Sequence, residues 1–114
     1  MTGTPGGGAT LLFYTNDVGV DIYGNVYVAD TDNQRIQRFP PNSSVGQTVA
    51  GTGIAGSGTN QLDYPRTIFV RGDILYISDV YNYRIVRYSY NATTGTTVAG
   101  GNQFNFRNFL IISN

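Results

Sequence analysis

The stretch "VYVADTDNQRIQRF" at residues 26–39 is met again as "LYISDVYNYRIVRY" at residues 75–88. The shift of 49 pairs Tyr27 with Tyr76, Asp30 with Asp79, Asn33 with Asn82, Arg35 with Arg84, Ile36 with Ile85 and Arg38 with Arg87. It also lays "TVAG" at 48–51 on "TVAG" at 97–100. Upstream, one residue is skipped and Tyr14, Val18 and Val20 then face Tyr64, Ile68 and Val70. A period of this length is the mark of a repeat architecture, in which each unit is one supersecondary element.

Composition narrows what the unit is. The charged residues are seven Arg and seven Asp, with no Lys, Glu, His or Cys among 114 residues. Straight-chain helix formers are scarce, while Val, Ile, Thr, Tyr and Phe are plentiful, which favours strands. Fifteen Gly and eleven Asn supply turns. Each unit divides into four short strands: 17–22, 25–30, 35–39 and 47–50 in the first copy, 67–71, 74–79, 84–89 and 96–99 in the second. In the second strand of each, Val26 and Val28 alternate with Tyr27 and Ala29, and Leu75 and Ile77 with Tyr76 and Ser78. Both faces are largely apolar, as in a sheet covered on both sides. Asn33 and Asn82 stand where a tight hairpin takes a residue tolerant of positive φ. Four antiparallel strands at this period form a propeller blade.

The repeat runs past both copies. "GGGATLLFY" (6–14) matches "GSGTNQLDY" (56–64), and "FRNFLIISN" (106–114) matches "YPRTIFVRG" (64–72). The expected organisation is all-β: a β-propeller segment of two four-stranded antiparallel blades plus the first strand of a third. Residues 1–13 are read as a linker remnant, 14–63 as the first blade with its linker, 64–105 as the second, and 106–114 as the opening strand of a third blade.

The motif resembles that of the NHL-repeat propellers, loosely Gly-Asn-h-Tyr-h-x-Asp-x-x-Asn-x-Arg-h with h apolar. "GNVYVADTDNQRI" (24–36) fits throughout; "DILYISDVYNYRI" (73–85) has Asp73-Ile74 in place of Gly-Asn. The Asn-His-Leu triplet itself is absent, with Asn33-Gln34-Arg35 and Asn82-Tyr83-Arg84 standing there. The resemblance implies a normally six-bladed array, of which about two blades are present. Three arrangements follow: a piece of a longer array, a subunit that builds a ring from several copies, and a stand-alone fold. The breaks in mid-linker and mid-blade favour the first. In all three the blade faces need company, because repeat units are held by nearest-neighbour interfaces and bare apolar patches associate.

Asp30, Asn33 and Arg35, with Asp79, Asn82 and Arg84, are read as a structural motif. Each Asp ends a strand and each Arg begins the next, so the two bond each other or the turn backbone. Tyr81 and Tyr83 differ from their counterparts Asp32 and Gln34 and are the candidates for ligand contact. "NSS" at Asn42 and "NAT" at Asn91 are N-glycosylation sequons at equivalent positions of one hairpin; they give a slight lean toward an extracellular parent protein. No cofactor and no metal is expected: His and Cys are absent, and Ser78 and Ser89 have no His partner for a triad. The NHL resemblance allows RNA binding, but zero net charge gives no basic face. Arg66, Arg71 and Arg107 have Asp63 and Asp73 near the first two in sequence, so nucleic acid is disfavoured. No run is long enough to span a membrane. The expected function is a non-catalytic binding or scaffold module that meets a protein partner, further blades or another copy of itself. The alternative is part of a propeller hydrolase or lyase whose metal-binding channel residues lie on other blades.

Overall fold

The computed structural model describes residues 15–101, with the backbone alone for Thr15 and Asn16. The linker expected at 1–13 and the strand expected at 106–114 lie outside the described residues. Within them the chain is all-β. It forms two four-stranded antiparallel meanders, β1 (Thr15–Val20), β2 (Val26–Asp30), β3 (Arg35–Phe39), β4 (Gln47–Gly51) and β5 (Pro65–Arg71), β6 (Ile74–Asp79), β7 (Arg84–Tyr88), β8 (Thr96–Gly100). No strand crosses from one sheet to the other. The result is a propeller-like segment without a closed barrel.

The repeat in sequence is a repeat in register. Val26 to Asp30 pair with Phe39 to Arg35, and Leu75 to Asp79 pair with Tyr88 to Arg84 at the same shift. Even the irregularity recurs: the ladder slips between Ile36 and Gln37 in the first sheet and between Ile85 and Val86 in the second. Each slip follows a strand end closed by glycine with positive φ, 84° at Gly51 and 83° at Gly100. At Gly51 a Cβ would run into the carbonyl oxygen of Gln34, so only glycine fits.

Two expectations need correction. The first strand runs 15–20 rather than 17–22, because Asp21 leaves the ladder to build the next turn. Its Oδ1 accepts the N–H groups of Tyr23 (2.8 Å) and Asn25 (3.0 Å), an Asx-type competition with strand pairing. Similarly, β5 starts at Pro65 rather than 67. The positive φ of the β2–β3 and β6–β7 turns falls on Gln34 (55°) and Tyr83 (53°), not on Asn33 and Asn82. Thr31–Asn33 and Val80–Asn82 each form one 3-10 turn, and the left-handed residue is the one that closes it.

The sheets stack face to face. Pairing puts Gly19, Tyr27, Ala29, Ile36 and Ala50 on one side of the first sheet. The last four pack with Ile68, Leu75, Ile77, Val86 and Tyr88 of the second sheet and with Leu62 of the linker into one buried cluster. Polar pins fix the sheets' relative position. The Ile68 N–H donates to Asp17 Oδ2 (2.9 Å), the Ile22 N–H to the Gly72 carbonyl (2.9 Å), and the Thr31 hydroxyl to the Pro65 carbonyl (2.7 Å). At Gly19 the sheets approach so closely that a Cβ would sit 2.8 Å from Val70 Cγ2. Gly19→Val should therefore cost about 1–3 kcal/mol by overpacking, read from urea denaturation. Val18→Thr, on the opposite and exposed side, should change stability by less than about 0.5 kcal/mol.

Candidate functional site

The charged motif forms a buried clasp at the end of each sheet. In the second, Asp79 Oδ2 accepts from Arg84 Nε (2.7 Å) and Asn82 Nδ2 (2.9 Å), while Oδ1 accepts the backbone N–H of Asp63 (2.6 Å). Arg84 reaches further. Its Nη2 donates to the carbonyls of Gly58 (3.1 Å) and Gln61 (3.0 Å), and Asn82 Nδ2 donates also to the Gly56 carbonyl (2.8 Å). One carboxylate thus holds the β6–β7 turn, and its two partners hold the linker that enters the sheet. In the first sheet Asp30 Oδ2 accepts from Arg35 Nε (2.8 Å) and Asn33 Nδ2 (3.0 Å) in the same geometry. Both aspartates are fully buried. Burial raises the pKa of Asp79, opposed by the hydrogen bonds from Asp63, Asn82 and Arg84.

Tyr81 and Tyr83 are both exposed on the turn after β6. Tyr81 lies flat on Tyr64, with ring centroids 4.8 Å apart and planes 12° from parallel. Tyr64 is itself tied to the first sheet, its N–H donating to Gln34 Oε1 (2.6 Å). Tyr83 is the left-handed residue that closes its turn. Asn42 and Asn91 are exposed and adopt positive φ, 61° and 59°. Their side chains differ in setting: Asn91 Oδ1 accepts from Arg38 Nη1 (3.1 Å) across the two sheets. Ser78 bonds Thr67, its Oγ lying 2.8 Å from the Thr67 N–H that donates to it. Asp73 sits in the turn between β5 and β6.

Two clusters are not legible in the motif. Asp21, nearly buried, accepts from Asn25 Nδ2 (2.9 Å) and the Tyr27 hydroxyl (2.8 Å) through Oδ2, besides the two backbone bonds to Oδ1. Burial alone would raise its pKa, but the four hydrogen bonds together outweigh it and the pKa is lowered. The second cluster is a seam between sheets in which Arg38 lies 5.0 Å from the Tyr90 ring centre and Tyr23 meets Tyr90 at 5.0 Å. The repeat hides both, because Arg71 stands where Asp21 is expected and Pro41 stands opposite Tyr90. The signal for the first was local: an acid followed at i+4 by Asn and at i+6 by Tyr, around Gly24.

Among the described residues, no group of three or more acidic, His or Cys side chains is placed to hold a metal ion. No helix among them is long and apolar enough to cross a membrane. No family model matches the sequence, and no curated protein matches it.

Arg84→Ala should be strongly destabilising, by about 3–5 kcal/mol, because it leaves a buried carboxylate without its cation; the urea midpoint reads this. A second expectation concerns alkaline pH. Burial first, and the hydrogen bond to Asp21 second, push the Tyr27 phenol up to about 12 from its ordinary 10. A raised phenol pKa means that the neutral form is favoured by folding. Its contribution is complete below about pH 10 and fades as pH climbs from there to about 12. The stability difference between wild type and Tyr27→Phe should narrow across that window, measured by urea midpoints at successive pH values.

Proposed function

We propose that this chain is an NHL-type, non-catalytic binding and scaffold module that engages protein through the faces of its sheets. One observation carries the reading. Val18 and Val20 on β1 are 57% and 60% exposed, whereas Ile68, the counterpart of Val18 on β5, is 8% exposed beneath the first sheet. Val70, the counterpart of Val20, packs against the same core. The same side of the same strand is thus sealed in one unit and open in the other. Nearby on that side, a groove runs over Val26, Val28, Phe39 and Pro41. A row of aliphatic side chains flanking an apolar groove is the kind of surface that proteins cover with other proteins. The motif resemblance supports the same class, since propellers of this type present rigid surfaces to partners. The buried clasps support it too, because they hold turns and linker in fixed positions.

An apolar fluorescent dye tests the open face without a known partner. The folded wild-type chain should enhance the dye's emission. The double variant Val18→Asp with Val20→Asp should lose most of that enhancement and keep the wild-type circular dichroism. Equal dye binding by a folded double variant would contradict the proposal.

A further inference from the structure

We propose that the outer edge of β4 is a docking site for an extended peptide segment of a partner protein, and that Arg38 selects a segment with an acidic side chain. The site is separate from the open β1 side and does not depend on it. β4 is the last strand of the first sheet, and among the described residues no strand pairs with its outer edge. A groove of about 570 Å³ touches residues 47–52 in an unbroken run. Side chains of consecutive strand residues point to opposite faces. A groove that meets every one of them therefore follows the edge, where backbone N–H and C=O groups are presented. The opposite wall belongs to the second unit: Asn91, Ala92 and Thr93 of the loop between β7 and β8, with Asn60 of the linker. The stacking of the sheets thus creates the groove.

Arg38, on β3, is the one charged side chain lining it among the described residues. Its Nη1 donates to Asn91 Oδ1 (3.1 Å), its Nη2 to Gln47 Oε1 (3.0 Å), and its guanidinium lies 5.0 Å from the Tyr90 ring centre. All three partners are neutral. The ion pairs among the described residues are those of Arg35 and Arg84, not of Arg38. Asp21 is linked to it through the Tyr27 hydroxyl, which donates to Asp21 and accepts from Arg38. Asp73 accepts the Tyr23 hydroxyl (3.4 Å). A guanidinium has five N–H donors, so each Nη keeps a second hydrogen beyond these bonds. A carboxylate entering the groove is the natural complement.

The walls also tell which acidic molecule fits. Six residues of extended chain span roughly 20 Å, and strand addition takes its affinity from just such a row of main-chain groups. No aromatic ring lines the groove, so a sugar finds no stacking platform there. The neighbouring cleft does have tyrosines, Tyr27, Tyr88 and Tyr90, but its volume of about 20 Å³ admits about one water. A second copy of this chain offers no free acid at a sheet edge. The edge strands β4, β5 and β8 contain none, and Asp17 of β1 already accepts the Ile68 N–H.

Phage display of random dodecapeptides on the immobilised full chain, with counter-selection on Arg38→Gln, tests this. Selected peptides should share a proline-free run of about six residues with one Asp or Glu in it. For a selected peptide made synthetically, fluorescence anisotropy should show about tenfold weaker binding when the acid becomes its amide. The same change should make no difference on Arg38→Gln. N-methylation of alternate peptide residues should abolish binding in one frame and spare it in the other, as strand pairing requires. These peptide changes leave the protein unaltered, so they decide the matter even where Arg38→Gln does not fold. Binding should survive Val18→Asp with Val20→Asp, which removes the open β1 side. Failure to enrich any peptide, enriched peptides without a shared acid, or tolerance of N-methyl groups in both frames would overturn the proposal. So would loss of binding in the folded Val18 and Val20 double variant, or Arg38-dependent binding of an oligogalacturonate in place of any peptide.

Discussion

A sheet whose strands are apolar on both faces must be covered twice. That constraint organises this chain. Val26, Val28, Leu75 and Ile77 point to one side of their strands, and Tyr27, Ala29 and Tyr76 to the other. One four-stranded unit covers neither side by itself. Stacking two units seals one joint, around Ile36, Leu62 and Ile77, all with no exposure. On the outer sides Val18, Val20 and Phe69 stay exposed, while Val28 and Ile85 are buried. Apolar burial supplies the drive toward the stack, but it is not directional. Position comes from the polar pins, chiefly the Ile68 N–H on Asp17, and from the missing side chain at Gly19.

The Asp–Asn–Arg clasp performs a different task. A buried ion pair contributes little net stability compared with apolar residues of similar size, because two charges must leave water. What the clasp adds is position. Asp79 gathers the turn through Asn82 and Arg84, and the same two side chains gather four linker carbonyls, those of Gly56, Ser57, Gly58 and Gln61. A linker rich in glycine has no pattern of its own to settle its path. Its backbone acceptors find donors on the sheet instead. This explains why the motif recurs in both units although their surface residues differ, as Tyr81 differs from Asp32.

Much of this was legible before any coordinates. The shift of 49 gave the strands, their order and the Asp–Arg partnership, because cross-strand neighbours recur wherever the ladder recurs. Other features follow rules the period cannot carry. Asn33 and Asn82 look like left-handed turn residues, yet each is needed to reach a carboxylate, and the left-handed geometry passes to Gln34 and Tyr83, residue types with no preference for it. The Asp21 turn has one copy, so comparison of the units conceals it. The seam of Arg38, Tyr23, Tyr90 and Asn91 joins unlike positions of the two units, which only their relative placement brings together. The strand ladders that recur were readable; the turn geometry and the contacts between units were not.

The stacking of the two sheets is the claim on which all else stands, and proton NMR reaches it directly. Nuclear Overhauser contacts in the labelled full chain should join the Val70 methyls to the Gly19 α protons, and the Ile77 methyls to Ala29 or Ile36. Strong cross-peaks of both kinds, beside the within-sheet set from Val26–Phe39 and Leu75–Tyr88, are the predicted result. Within-sheet peaks without any between Gly19 and Val70 would mean that the sheets form but do not stack, which contradicts the account.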